Sequence, residues 1–496
     1  MNTSSTTFGE VLASHAAARP DAPAVTCGTD TLTWAELERD SNRLAHTWSR
    51  LGVTPGSYTS IMLDNSPAFM TAAFASWKLG AVPQPLSSRL TPAELRAILE
   101  VVVPAGVVGL PDNVGSVAND WVTLPSVTET TECAESLPLR IAPSWKAPTS
   151  GGSTGRPKVV VSGNAAVLEE VNGFADVLRI PTAGTVAVPG PLHHNAPFMF
   201  AALAMLRGSH VVLQGRFDAE TLLADISSHG VQWLYAVPTM MQRIWRLGPE
   251  MLGAQDVSTL NLVVHMAAPC PPWLKRAWIG WLGGERILEV YAGTEAQAAS
   301  AITGTDWLRH PGSVGPAVVG EFTVLGPDGA PLPPGEVGEV WVRRGADSPP
   351  AYTYIGGTAR TRDGGWESLG DLGSLDEEGY LYLTDRDTDV VLVGGSNVYP
   401  AEVEAALVEH PDIDDACVVG LPHEDLGAVP HAIVQSSAEV DLDYVLPFLR
   451  ERLSSYKLPR SLEVVASQLR DDAGKMRRST LRAQRLEGVN DALGHQ

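Results

Sequence analysis

Thr149-Ser-Gly-Gly-Ser-Thr-Gly-Arg-Pro-Lys158 gathers hydroxyls, glycines and two cations into ten positions. Gly151, Gly152 and Gly155 let a backbone approach a ligand closely and adopt positive φ, while Thr149, Ser150, Ser153 and Thr154 supply hydroxyls. Together with exposed N–H groups these can surround phosphate oxygens, and Arg156 and Lys158 can add charge-assisted contacts. No Gly-Lys-Ser/Thr closes the stretch and no helix pattern opens there, so it is not the usual nucleotide P-loop. A strand-like run is expected before Trp145, feeding this loop.

Four further clusters carry chemistry. In Glu289-Val-Tyr-Ala-Gly-Thr-Glu295 a strand ends in a glycine turn and presents Thr294 and Glu295 at a sheet edge. A carboxylate beside a hydroxyl suits Mg²⁺, a hard cation that bridges substrate phosphates. In Glu367-Ser-Leu-Gly-Asp371-Leu-Gly373, Asp371 reads either as a turn residue or as a carboxylate for ribose hydroxyls. Asp385-Arg-Asp-Thr-Asp389 is a charged turn, followed by a glycine turn at 394–399 that introduces a helix at Pro400. Gly474-Lys475 stands in a charged tail.

The elements that must position these clusters alternate between helix and strand. Helical periodicity covers 8–18 and 34–51, the second opened by Thr33 as a cap. Short apolar runs at 58–63, 107–110, 210–213 and 231–237 are separated by helical stretches at 68–79 and 219–228, the rhythm of an α/β protein. Past 310, strands at 322–325 and 338–342 between Pro/Gly turns make a small β-rich section. Beyond Asp385 the pattern is α+β: strand 390–393, helix 400–410, strand 416–419, helix 445–454.

The chain of 496 residues is long enough for two or more domains. No apolar run suggests a membrane span, and the polar start of the chain carries no export signal. Cys27, Cys133, Cys270 and Cys417 are too scattered for a metal site or a disulfide framework, which points to the cytoplasm. A net charge of −22 argues against a nucleic-acid partner, so an anionic substrate needs a local basic site such as Arg156 and Lys158.

In combination and in order, these stretches resemble the adenylate-forming superfamily of acyl-CoA synthetases, luciferases and peptide-synthetase adenylation domains. Pro191-Leu-His-His-Asn-Ala-Pro197, Val237-Pro-Thr-Met-Met241 and Ala267-Ala-Pro-Cys-Pro-Pro272 are most similar to the bile-acid-CoA ligase-like branch. The resemblance implies an α/β fold. Its large N-terminal domain (1–385) would stack mixed sheets and helices with a small β-rich section, and a mobile α+β lid (386–496) would follow. It implies that 149–158 surrounds the β- and γ-phosphates of ATP and that Tyr291 stacks near adenine. Thr294 would contact the α-phosphate, Glu295 would ligate Mg²⁺, and Asp371 with Arg386 would hold the ribose. His194 would stand beside an acyl pocket walled by Phe198, Pro238, Met266 and Ala267, with Ala292 and Gly293 at its floor. Lys475 would bridge the carboxylate and α-phosphate during adenylation.

Four departures stand out. The hinge position holds Thr388, Asp385 replaces a common glycine, and Ala292 replaces a second glycine before Thr294. Gln468-Leu-Arg-Asp-Asp-Ala-Gly-Lys475 brings Asp471 and Asp472 close to the lysine, to orient it or raise its pKa. The expected activity is ATP- and Mg²⁺-dependent activation of a small or aromatic acid, then transfer to CoA, with a carrier protein as another acceptor. Two alternatives stay open at this point: a diazotase passing adenylated nitrite to an aryl amine, and a nucleotide-binding protein without turnover.

Overall fold

The computed structural model describes residues 5–110, 121–130, 132–151, 157–345, 348–386, 389–393, 396–423, 426–471 and 474–493. At 150, 151, 386 and 487–493 the description covers the backbone alone.

The element that organises the site is a nine-stranded sheet. Its order is Ala317–Val319, Ala299–Thr303, Ile287–Ala292, Leu262–His265, Trp233–Ala236, Thr185–Val188, His210–Leu213, Pro23–Cys27 and Asp30–Thr33. The strands from 287 through 262, 233, 185 and 210 to 23 are parallel, and antiparallel strands close both sides. Parallel strands must be buried on both faces, which explains why Trp233–Ala236 and Leu262–His265 are buried at every position. The consequence for function is directional: four neighbouring strands, at 185, 233, 262 and 287, all end on the same side.

Helices cover the sheet with matched local signals. Thr7 and Thr33 each close a capping box, on Glu10 and Glu36, so the cap expected at Thr33 is present. The long helix Trp34–Arg50 turns Trp34, Leu37, Leu44 and Trp48 inward, and Trp77 and Trp145 fill the adjoining core. Buried indoles need partners, and the Trp77 Nε1 donates to the Trp145 carbonyl at 2.9 Å. A four-stranded parallel sheet (Val82–Pro85, Tyr58–Ile61, Gly106–Val108, Thr123–Leu124) packs beside this layer.

The β-rich section is antiparallel as its turn residues imply. Glu321–Leu325, Gly338–Arg343, Trp366–Leu375, Leu381–Arg386 and Ser313–Gly315 form one sheet with Arg360–Arg362 at its side. Leu381–Arg386 is the last strand of that sheet, and the next strand, Val391–Val393, belongs to a five-stranded C-terminal sheet. The C-terminal sheet has its own apolar core, which includes Val403, Leu407, Val418, Val434 and Leu449.

Three local expectations change. Among the described residues 132–144 no strand leads into Trp145; instead Thr149–Gly151 and Pro157–Ser162 pair with each other, and Pro157–Ser162 pairs with Tyr352–Ile355. Ala142 and residues 144–148 are buried while Pro143 is exposed, so this segment lines the core without pairing. Asp371 is in a strand rather than a turn, paired with Arg386, because Gly370 at φ +82 takes up the bend one residue earlier. Ile287–Ala292 is an interior strand with partners on both sides; Thr294 and Glu295 leave its carboxyl end, not a lateral edge.

Candidate active site

The four parallel strands deliver Pro191–His194, Val237–Thr239, Met266–Ala268 and Gly293–Glu295 to one place, beyond their carboxyl ends, where open α/β sheets gather ligands. Asn65 fixes the first of these segments. Its amide donates to the carbonyls of Gly190 and Gln214, both at 2.9 Å, and its carbonyl accepts from Leu192 N at 2.7 Å. His194 then becomes the cap of helix Asn195–Leu206, in extended backbone and without a side-chain capping bond.

The phosphate-type loop meets the strand-end carboxylate through Lys158. Its Nζ lies 3.6 Å from Glu295 Oε1 and 3.0 Å from the Tyr354 hydroxyl, and Tyr354 donates to Glu295 Oε1 at 2.5 Å. Burial and the Glu295 carboxylate push the Tyr354 hydroxyl up, so it stays a donor. Glu295 itself is buried at 7% exposure. Of the remaining loop residues, Thr149 accepts from Gln84 Nε2 at 3.3 Å. Ser150 and Gly151 are seen only as strand backbone, and Gly152, Ser153, Thr154 and Gly155 lie outside the described residues.

A second bond ties the strand end to the β-rich sheet: the Tyr291 hydroxyl donates to Asp371 Oδ2 at 2.6 Å. Arg386 faces Asp371 across the ladder, its side chain outside the description. Gly293 packs closely: a Cβ there would sit 2.5 Å from Leu369 Cδ1 and 2.9 Å from Glu295 Oε2, so those two side chains would have to shift. Thr294 and Ala292 beside it are half-buried. Two alanines at the strand ends, Ala267 (φ 77) and Ala296 (φ 53), hold left-handed backbone, strain of the kind that clusters at ligand sites.

The C-terminal segment closes the arrangement. A Cβ on Gly474 (φ +73) would lie 3.3 Å from both Thr239 Oγ1 and Val237 Cγ2, so the turn before Lys475 rests on the strand end at 237–239. Asp471 shapes that turn. Its Oδ1 accepts from Lys475 N at 2.9 Å, and its own N–H donates to the Lys475 carbonyl at 2.9 Å. Both bonds hold the Lys475 backbone; Asp472 is outside the described residues. Burial, then Lys475 and Arg477, push the His194 imidazole down to about 3, so the ring is neutral and near those two cations. Arg246 adds a clasp, donating to Asp414 and to the Ile413 carbonyl at 2.8 Å.

Pro238 and Met266 are buried at the strand ends, and Ala267 is exposed. Phe198 is a correction: it is fully buried, stacked on Trp77 and edge-on to Phe69, so its ring is core packing rather than pocket wall. Three residues escaped the sequence reading. Tyr354 arrives on a distant strand, Lys146 is buried with its Nζ donating to Asn195 Oδ1, and Asn195 is the first residue of the helix after His194. A lysine inside the apolar stretch 142–147 was the available signal for Lys146.

Comparisons with known proteins show the family. The model of the AMP-binding enzyme family matches residues 12–346, and that of the AMP-binding enzyme C-terminal domain matches 402–475. A feruloyl-CoA synthase of Amycolatopsis sp is 30% identical, over 93% of this chain and 96% of its own. A fatty acid–[acyl-carrier-protein] ligase of Streptomyces coeruleorubidus is 30% identical, with 94% of each chain covered. The solved o-succinylbenzoate CoA synthetase of Bacillus subtilis, in complex with its acyl-adenylate intermediate, superposes with a TM-score of 0.81 at 26% identity, over 95% of this chain and 97% of its own. With the family model spanning most of the chain and relatives matching nearly all of it, the protein belongs to the adenylate-forming, AMP-binding enzyme family.

Proposed function

We propose that this enzyme activates a small or aromatic carboxylic acid as its acyl-adenylate and passes the acyl group to the thiol of CoA. The observation that supports it most is the convergence of Lys475, His194 and the Glu295–Lys158 pair at the ends of four parallel strands.

In the first half-reaction a carboxylate oxygen attacks the α-phosphorus of ATP, the bond to pyrophosphate breaks, and acyl-AMP forms. Two anions meet, so the site must supply positive charge where charge develops. Lys475 does this between carboxylate and α-phosphate, and Lys158 holds the leaving phosphates. Neutral His194 lines the acyl side without adding charge to repel Lys475. Tyr291 and Asp371 hold the nucleoside, with Asp371 accepting from the ribose hydroxyls.

Mg²⁺ fits the donor set. The Glu295 carboxylate stands at the strand end beside Thr294, oxygen donors of the kind a hard cation takes. Glu295 would hold it, and the ion's chemistry there is neutralisation of phosphate charge. Pro238, Met266, Ala267, Ala292 and Gly293 give the pocket a small, apolar lining, which favours an aromatic or compact acid.

The segment from 386 onward acts as the lid, pivoting at Asp387-Thr388, outside the described residues. Its turn at Gly474 is seated for adenylation, and rotation would withdraw Lys475 so that a thiol can attack the acyl carbon and release AMP. Pyrophosphate release by the purified enzyme, across a panel of acids, tests the first step. AMP and thioester appearance with CoA tests the second, and a nitrite-plus-aryl-amine arm tests the diazotase alternative. Acid-independent, CoA-independent hydrolysis alone would refute the reading.

A further inference from the structure

Lys146 is the one described cation sunk almost completely beside the site, at 4% exposure, and the chemistry above gives it no task. Its backbone is clamped on both sides. The Lys146 carbonyl accepts from Ser162 N at 3.1 Å and Ser144 Oγ at 2.9 Å, and Ala147 N donates to the Pro83 carbonyl at 3.1 Å. The side chain therefore leaves a rigid frame, passes the Trp145 ring (Nζ 5.1 Å from its centroid) and donates to Asn195 Oδ1. An ammonium has three N–H donors, and Asn195 takes one.

A buried cation is costly unless an anion compensates it. Glu295 acts on Lys146 through its field, but Glu295 Oε1 already accepts from Tyr354 and pairs with Lys158 at 3.6 Å. Burial outweighs that field and holds the Lys146 ammonium down to about 7. The residue next to Asn195 is His194, on which Lys475 and Arg477 act from the C-terminal side. Lys146 and Lys475 thus approach the start of helix Asn195–Leu206 from two directions. Lys146 comes from the fixed frame, Lys475 from the segment that seats at Val237–Thr239.

We propose that Lys146, steadied by Asn195, is an anion-binding residue of the acid site: it holds one oxygen of the substrate carboxylate while Lys475 is delivered to the other side. This rests on the adenylation reading. A carboxylate there gives Lys146 the counter-charge that Glu295 only partly supplies, and it selects small acids whose anionic end can reach a deep, fixed ammonium.

The test compares wild type, Lys146→Met, Lys146→Arg and the double variant Lys146→Met/Asn195→Leu. The double variant leaves neither polar partner unmatched, should either single change unfold the protein. Pyrophosphate release is measured against acid concentration, and MgATP binding is measured separately by calorimetry. We expect the acid KM to rise about 10- to 100-fold in the two Met-containing variants, the scale of a lost charged hydrogen bond, with MgATP affinity and melting temperature kept. The pH dependence gives a second readout. Lys146 is charged below its pKa, so kcat/KM for the acid should fall on the alkaline side in wild type and lose that limb in Lys146→Arg. Glu295 is the charged group acting on it, and the nearby His194 stays neutral.

An unchanged acid KM in Lys146→Met overturns the proposal. So does a loss confined to MgATP affinity, which would place the ammonium on a phosphate, and so does an alkaline limb that persists in Lys146→Arg. A wild type that releases pyrophosphate with no acid overturns the adenylation reading, and this proposal with it; an active wild type isolates Lys146.

Discussion

Gly474→Ala separates the two half-reactions by geometry. The glycine sits at φ +73, a region that costs an alanine roughly 1–2 kcal/mol wherever the turn forms. The added Cβ also meets Thr239 Oγ1 and Val237 Cγ2 at 3.3 Å, but only while the turn rests on that strand end. Val237 is fully buried and cannot give way cheaply. The φ cost is common to both arrangements, whereas the crowding, about 1–2 kcal/mol for an extra methyl in a packed contact, falls on the seated one alone and lowers its population about 5- to 30-fold. Acyl-AMP formation, followed by pyrophosphate release, is expected to fall by that factor. Thiolysis of a preformed acyl-adenylate, which needs the turn withdrawn, should change little. Gly474 is a buried bend residue outside any strand or helix, and the change adds a methyl rather than opening a cavity, so the melting temperature should hold. Equal losses in both half-reactions, or none in either, would refute the claim that this seat belongs to adenylation.

Other expectations follow from the same contacts. Lys475→Ala should cut AMP formation about 100- to 1000-fold with the melting curve unchanged, because the residue is exposed and its loss leaves no cavity. Glu295→Gln should shift the Mg²⁺ titration to higher concentration more than it shifts the acid KM, since an amide fills the same space but is a poorer ligand for a hard cation. An unmoved titration would leave Glu295 as a partner of Tyr354 and Lys158 only. His194 is held down to about 3, well below an unfolded histidine, so the unfolded chain binds the extra proton between that value and about pH 6.5. Stability from this residue is complete above that window and lost as pH falls through it. Denaturant midpoints of His194→Gln should therefore fall less between pH 7 and 4.5 than those of wild type.

The sequence shows which segments carry chemistry more readily than where they meet. Glycine and hydroxyl spacing marked 149–158, and a strand followed by Gly-Thr-Glu marked 293–295, because local backbone demands leave local signatures. Strand order leaves none. That 185, 233, 262 and 287 lie side by side follows from crossovers tens of residues long, and periodicity is blind to them. Tyr354 reaches Glu295 only through the pairing of Tyr352–Ile355 with Pro157–Ser162. Phe198 illustrates the reverse difficulty: its place after the His194 motif suggests a pocket, but the helix turns its ring onto Trp77. Asp371 reads from sequence either as a turn residue or as a carboxylate for ribose; Gly370 at positive φ takes the bend and leaves Asp371 paired in the ladder.

The most direct measurement is acid-dependent pyrophosphate release by the wild-type enzyme with MgATP, run alongside Lys475→Ala, with and without CoA. Release that depends on a small or aromatic acid, collapses in the variant, and is joined by thioester when CoA is present is the expected result. Wild-type release that is indifferent to every acid, or that survives in Lys475→Ala, would contradict the assignment of these residues to acyl activation.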